Sequence, residues 1–262
     1  MLFSALSFSF SSCSKDDDPE EQTEQPDDSG GDDTPSDPDK PDTEKDHSVS
    51  LKYCPDKKHP HLIDLGEGMK WACCNVGAKQ PSEYGGFYAW AETKEKECYD
   101  ATTYLYCDDQ DEEKCWDMIR LYDRNQGMLS YYSISGSRYD VAWMNNNNFM
   151  MPNNGDIEKL RKNTTFTVVT LDGVEGIKVT GPSKKLIFLP GGGKKWGKEW
   201  LNNFVDHPTG YYWGGERWTD VAAWDADGFF IDPNYGVRTY CGHRIEGLMV
   251  RGTENTSYSI TY

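Results

Sequence analysis

Residues 14–46 restrict the possible fold of this chain more than any other feature. The segment contains 15 Asp and Glu residues against three Lys residues, and Pro and Gly recur along it. A segment of this composition cannot bury enough apolar surface to offset the entropy lost on folding. We therefore predict a disordered acidic tether, which at roughly 3.3 Å per residue would reach at most about 110 Å.

The remainder of the chain is long enough for one globular domain. It holds 29 acidic and 24 basic residues, so only about −5 of the formal net charge of −17 lies outside the tether. This balance excludes a nucleic-acid partner, which requires a basic patch. The mean hydropathy of −0.79 and the lack of an apolar run of about 18 residues exclude a transmembrane helix.

The chain opens with MLFSALSFSFSSC, an apolar and small-residue stretch that ends at a cysteine. This pattern is typical of a secretory signal segment, and Phe10-Ser11-Ser12-Cys13 resembles the lipobox of bacterial lipoproteins. The resemblance implies cleavage after residue 12 and a lipid anchor on Cys13. No basic residue precedes the apolar stretch, which leaves open an ordinary N-terminus with a chance cysteine.

The residues after Cys13 resemble the acidic export signal of surface lipoproteins in Bacteroidota. These residues are Ser14, Lys15, Asp16, Asp17 and Asp18. The resemblance implies a protein that is lipid-anchored at the outer membrane and faces the cell exterior. We expect a signal segment over residues 1–12, the lipidated cysteine and tether over 13–47, and the domain over 48–262.

Seven cysteines follow Cys13, so at least one is unpaired within a monomer. Export permits disulfides, and we expect one or two near the segment from Cys98 to Cys115. No CxxC pair indicates a zinc site or a redox dithiol. We interpret His59-Pro60-His61 as a solvated loop leading into the domain, and we assign no metal and no cofactor.

Frequent turn signals and 13% aromatic residues favour a loop-rich mixed fold. Asp172-Gly173 separates two β-prone runs, which predicts a hairpin with a type I′ turn. Asn153 and Asp156 have the form of an N-cap and a capping acid, which predicts a helix over residues 154–162. A second helix is predicted over residues 139–144. Strands are predicted over residues 61–65, 70–74, 87–92, 165–170, 176–180, 186–189, 211–213, 228–232 and 248–251.

Short motifs follow one another in a fixed order along the domain. They include Ile63-Asp64-Leu65-Gly66, Lys70-Trp71-Ala72, Cys74-Asn75-Val76-Gly77-Ala78, Gly210-Tyr211-Tyr212-Trp213 and Gly247-Leu248-Met249-Val250-Arg251. As an ordered set, over about residues 60–252, they resemble the Fibrobacter succinogenes major paralogous domain. The resemblance implies an α+β domain similar to the C-type lectin-like fold, with small antiparallel sheets, two short helices and long loops. The two ends of such a domain meet in a strand pair.

We expect a non-catalytic binding module for a glycan or protein ligand. Rigid aromatic side chains supply contact area at low entropic cost, and residues 213–244 hold more aromatic and polar side chains than core packing requires. Trp213 is expected in the core, whereas Trp218 and Tyr235 are expected to be exposed. The predicted ligand-contacting residues are Trp218, Trp224, Asp225, Asp227, Tyr235, Tyr240, His243 and Arg244.

Three alternatives remain open. The formylglycine-generating, sulfatase-activating enzymes have a distantly similar fold, and Cys241-Gly242-His243 places a thiol near an imidazole, although no third orienting residue is evident. Calcium binding would use residues 145–148 or Asp225 with Asp227, yet the motifs of sugar-binding calcium sites are missing. A structural subunit of a surface appendage or envelope complex is the third possibility.

Overall fold

The computed structural model describes residues 54, 59–66, 68–106, 122–123, 127–128, 133–202, 209–217 and 225–256. Within these ranges the chain forms mostly small antiparallel sheets with few helices, so this part of the predicted α+β class is confirmed. Cys13, residues 14–18, the tether, Trp218 and Trp224 lie outside the described residues. No helix among the described residues is long and apolar enough to cross a membrane.

The described part of the chain consists of short strands and two helices. The helices are α1 (Val141–Asn145) and α2 (Asn154–Asn163). The strands are β1 (Leu62–Gly66), β2 (Met69–Ala72), β3 (Tyr122–Asp123), β4 (Gly127–Met128), β5 (Phe149–Met150), β6 (Thr165–Leu171), β7 (Val174–Thr180), β8 (Leu186–Pro190), β9 (Lys194–Trp196), β10 (Glu199–Leu201), β11 (Gly210–Arg217), β12 (Asp225–Asp232), β13 (Gly236–His243) and β14 (Thr253–Glu254). The sheets have the orders β1-β2-β14-β5, β6-β7-β8, β11-β12-β13, β3-β4 and β10-β9.

The β6-β7 hairpin forms as predicted, and its turn sets the register. Asp172 (φ 49°) and Gly173 (φ 82°) both have positive φ, which is the conformation of a type I′ turn. This turn twists in the same sense as the flanking strands. Leu171 therefore pairs with Val174 directly across the turn.

The predicted capping box begins α2. The Asn153 side chain accepts a hydrogen bond from the Asp156 N–H at 2.9 Å, and the Asp156 carboxylate accepts one from the Asn153 N–H at 3.3 Å. These bonds satisfy two backbone donors that the first turn leaves without partners. α1 spans residues 141–145 rather than the predicted 139–144, because the Asp140 carboxylate caps its first turn.

Two predicted strands, over residues 87–92 and 248–251, are not formed. The two segments meet at one isolated bridge between Tyr88 and Leu248. Ala91 has a φ of 68°, which turns the first segment away from an extended path. Both segments are mostly apolar and are buried. A short apolar run has no periodicity that distinguishes a strand from other buried backbone, so the sequence pattern predicts two strands. Seven strands were not predicted from the sequence, namely β3, β4, β5, β9, β10, β13 and β14.

The last strand lies in the middle of the four-stranded sheet. Thr253 of β14 pairs with Trp71 of β2 on one side and with Met150 of β5 on the other. Residues from the beginning and the end of the described domain are therefore neighbours. Trp213 is fully buried, as predicted for a core residue, and Trp71 is fully buried as well.

Candidate functional site

The predicted ligand-contacting residues do not gather at one site. Trp218 and Trp224 lie outside the described residues. The other six lie on β12, on β13 and in the adjoining turns, where some are exposed and others are buried. Tyr235 is 67% exposed, as predicted, whereas Asp227 and Arg244 are buried.

Asp227 and Arg244 stabilise the interior, so the structure removes them from the predicted ligand surface. The Asp227 carboxylate accepts a hydrogen bond from Asn154 Nδ2 at 2.6 Å, and burial raises the pKa of Asp227. The Arg244 guanidinium lies 4.7 Å from the ring centroid of Trp90. Its Nε donates to the Asp225 carbonyl oxygen at 3.1 Å. Buried polar groups with such partners hold the fold together.

Cys241, His243 and Asp225 lie close together without the arrangement of an activated nucleophile. His243 Nδ1 is 2.8 Å from Asp225 Oδ1, so the imidazole is paired with the carboxylate. Burial, and after it the charges of Asp225 and Asp227, raise the pKa of the Cys241 thiol to about 12. Because the thiolate is the nucleophile of cysteine chemistry, this thiol gives no support to the enzyme alternative.

Three half-buried aromatic residues form a continuous patch on the β11-β12-β13 sheet, which we call the aromatic face. Tyr211 lies on β11, Phe230 on β12 and Tyr240 on β13. Tyr211 and Phe230 are stacked with 5.8 Å between ring centroids, and Tyr211 meets Tyr240 edge to face at 4.9 Å. Each ring therefore contacts the other two, and all three side chains remain partly exposed.

An ion pair borders the aromatic face. Lys194 of β9 lies 5.3 Å from the ring centroid of Tyr211 and 5.6 Å from that of Tyr240. Its Nζ is 2.9 Å from Glu246 Oε1, and the Tyr240 hydroxyl donates to Glu246 Oε2 at 2.6 Å. Burial, together with the Glu246 charge, raises the pKa of Tyr240, so its hydroxyl remains a donor. The patch thus combines ring surface with fixed polar groups.

Exposed residues of β13 and the β12-β13 turn extend the aromatic face. Arg238 pairs with Phe230 in the sheet register, and its guanidinium lies 5.6 Å from the ring centroid of Tyr235. Both Arg238 and Tyr235 are exposed. A surface carried on a three-stranded sheet suits an extended glycan or a protein, because small ligands are usually held in enclosed clefts.

The two calcium candidates have their oxygen atoms engaged elsewhere. In residues 145–148, Asn146 Oδ1 accepts from the Asn148 N–H at 3.1 Å. The Asn147 and Asn148 carbonyl oxygens both accept hydrogen bonds from Asn255, so this loop fastens the end of β14. In the second candidate, Asp225 Oδ1 is paired with His243 and Asp227 Oδ2 accepts from Asn154.

A cluster of three thiols and one imidazole, which we call the thiol cluster, was not predicted from the sequence. His59 Nδ1 lies 3.0 Å from Cys54 Sγ, 3.4 Å from Cys73 Sγ and 3.2 Å from Cys74 Sγ. The sequence predicted that His59 belongs to a solvated loop. This prediction is wrong for the His59 ring, which contacts three thiols. Cys54 is five residues before His59 and 19 before Cys73, a spacing that a search for CxxC pairs overlooks.

Another cysteine, Cys98, is disulfide-bonded. This agrees with the expected disulfide near this position.

No protein-family model, no curated protein and no solved structure matches the chain.

Proposed function

We propose that the protein is an outer-membrane lipoprotein that holds a non-catalytic binding domain at the cell exterior. Cys13 carries the lipid, Ser14 and residues 15–18 direct the chain to the surface, and the acidic tether separates the domain from the membrane. In this proposal the domain has the C-type lectin-like fold of the Fibrobacter succinogenes major paralogous domain. The pairing of β14 with β2 supports that assignment.

The aromatic face is the proposed ligand-binding surface. The observation that carries this proposal is the set of three half-buried rings from three adjacent strands, bordered by the Lys194–Glu246 ion pair. Ring faces pack against the apolar faces of sugars and against the side chains of a protein partner. The Lys194 ammonium, whose side chain is 19% exposed, adds a charged hydrogen-bond donor at the edge of these rings. The ligand class is therefore a glycan or a protein.

Binding of the purified full chain to an array of host and dietary glycans tests this proposal. Phe230→Ala removes one ring from the aromatic face and is expected to weaken binding at least about tenfold, since rigid aromatic anchors dominate such interfaces. Leu105→Ala is the matched control, because Leu105 is apolar and 70% exposed but lies outside the aromatic face. Equal affinities of the Phe230→Ala variant and the wild type for every bound glycan would contradict the proposed surface.

A further inference from the structure

The thiol cluster has the geometry of ligands around a common point. In a tetrahedral zinc site, with Zn–S distances of about 2.3 Å and Zn–N distances of about 2.0–2.1 Å, neighbouring ligand atoms lie about 3.6–3.8 Å apart. The Sγ atoms of Cys54 and Cys73 are 3.5 Å apart, and those of Cys73 and Cys74 are 3.3 Å apart. The three distances from sulfur to His59 Nδ1 are 3.0, 3.2 and 3.4 Å. These five contacts need to lengthen by only about 0.6 Å or less to fit such a site. Cys54, His59 and Cys73 already lie within 4.8 Å of one another, and the Cys74 sulfur has to move toward that of Cys54 to join them.

A disulfide explains this arrangement less well than a metal ion does. A disulfide would join two of the three sulfur atoms at about 2.05 Å and would leave the third sulfur and the imidazole nitrogen without a reason to converge. A bound Zn²⁺ ion would account for all three sulfur atoms and the imidazole nitrogen. Thiolate sulfur and neutral imidazole nitrogen are the usual ligands of zinc in structural sites. Among the described residues, Cys54, His59 and Cys73 form one compact group of potential metal ligands.

The surroundings of the thiol cluster provide support for a bound thiolate. The His61 N–H donates to Cys73 Sγ at 3.1 Å, and such outer contacts orient metal ligands. A cavity of about 170 Å³ is lined by both His59 and Cys74. Two residues of the thiol cluster therefore border a space that can hold water.

A buried positive charge lies beside the thiol cluster. The Arg251 guanidinium is fully buried and donates to Asn75 Oδ1 at 2.7 Å and to two backbone carbonyl oxygens at 2.9 and 2.8 Å. These three acceptors are neutral, and one of them is the carbonyl oxygen of Ala72, the residue directly before Cys73. A buried charge requires compensation. Zinc with three thiolates and one neutral imidazole carries one net negative charge, which would balance Arg251.

We propose that Cys54, His59 and Cys73 bind one Zn²⁺ ion, with the Cys74 thiol completing the ligand set. Binding forms three Zn–S bonds and one Zn–N bond, and each coordinating thiol loses its proton to the solvent. The site ties the segment before β1 to the end of β2. It is therefore a structural site that stabilises the beginning of the domain, and it is independent of the lipid anchor and of the aromatic face.

The metal content of the full chain tests this proposal. The chain is purified under reducing conditions, loaded with zinc, separated from unbound metal and analysed by mass spectrometry of the metal. We expect one zinc ion per chain in the wild type and in Cys241→Ser, which removes a thiol outside the cluster. Cys54→Ser and His59→Ala are expected to lose the ion, whereas His59→Cys replaces the imidazole with another zinc ligand and is expected to retain it.

Co²⁺ provides a readout that does not depend on any variant. Bound to the reduced wild type, it is expected to give the intense visible bands and the sulfur-to-metal charge-transfer absorption of a tetrahedral thiolate site. The proposal is overturned if the reduced wild type holds no zinc and gives no such spectrum, or if a Cys54→Ser, His59→Ala double variant keeps its zinc. A Cys54–Cys73 disulfide in the chain isolated from native membranes, found by peptide mapping, overturns it as well.

Discussion

The indole ring of Trp71 and the phenyl ring of Phe229 meet edge to face, with 5.9 Å between their centroids. Both side chains are fully buried. Trp71 belongs to β2 of the four-stranded sheet, and Phe229 belongs to β12 of the sheet that carries the aromatic face. This contact therefore links the two sheets in one hydrophobic core, and the position of the proposed binding surface depends on it.

Replacing Trp71 with alanine is expected to lower the free energy of unfolding by about 3–5 kcal/mol, the usual cost of removing a large buried aromatic side chain. Tyr235→Ala, at a residue that is 67% exposed, is expected to change it by less than about 0.5 kcal/mol. Urea denaturation of the full chain and the two variants, followed by tryptophan fluorescence and circular dichroism, measures both values. Similar losses in the two variants would show that Tyr235 also belongs to the core.

Cys13→Ser is expected to abolish lipid attachment and to release the protein from membranes. The reason is chemical, because the thiol of Cys13 is the atom to which the proposed diacylglyceryl group is bonded. Metabolic labelling with a fatty-acid analogue, followed by membrane fractionation, measures both effects. Membrane association of the unlabelled variant would rule out the lipid anchor.

Replacing residues 15–18 with alanine is expected to leave the protein lipidated while turning it toward the periplasm, because these residues form the proposed export signal. Digestion of intact cells with added protease distinguishes the two orientations. The matched control replaces Asp37, Asp39 and Asp42 with alanine, which removes acidic residues from the tether but keeps the signal. If both variants remain accessible to protease, the export signal has been assigned incorrectly.

Cys241 is expected to react slowly with alkylating agents at neutral pH, and faster as the pH rises toward 12. Its raised pKa keeps the thiol protonated, so at pH 8 the thiolate fraction is at least about a hundredfold below that of a free cysteine. Labelling with iodoacetamide between pH 7 and about 10, followed by peptide mapping, measures the rate at which Cys241 is alkylated in the folded chain. The urea-unfolded chain is the control and should react at the ordinary rate. If the alkylation rate in the folded chain levels off near pH 9, the pKa of Cys241 is not raised.

Features encoded within a few neighbouring residues could be predicted from the sequence. The type I′ turn at Asp172-Gly173 and the capping box of Asn153 and Asp156 both depend on local backbone conformation, and both form as predicted. The burial of Trp213 was also predicted. Local chemistry thus determines the hairpin, the helix start and part of the core.

The candidate sites could not be predicted, because they are assembled from distant parts of the chain. Lys194 and Glu246 are 52 residues apart in sequence, and nothing in either neighbourhood indicates their pairing beside Tyr240. Asp227 was assigned to a ligand surface because polar residues are usually exposed. Its burial against Asn154 depends on how α2 packs on β12, which sequence patterns alone do not specify.

The central position of β14 also has a consequence for folding kinetics. Lys70 of β2 contacts Glu254 of β14 across 184 residues of chain, and β14 separates β2 from β5 in the sheet order. Contacts between such distant residues slow folding, because a long loop must close before they form. If the chain is exported as proposed, its four-stranded sheet stays incomplete until residues 253–254 have crossed the membrane. Folding of this sheet is then expected to finish only after translocation.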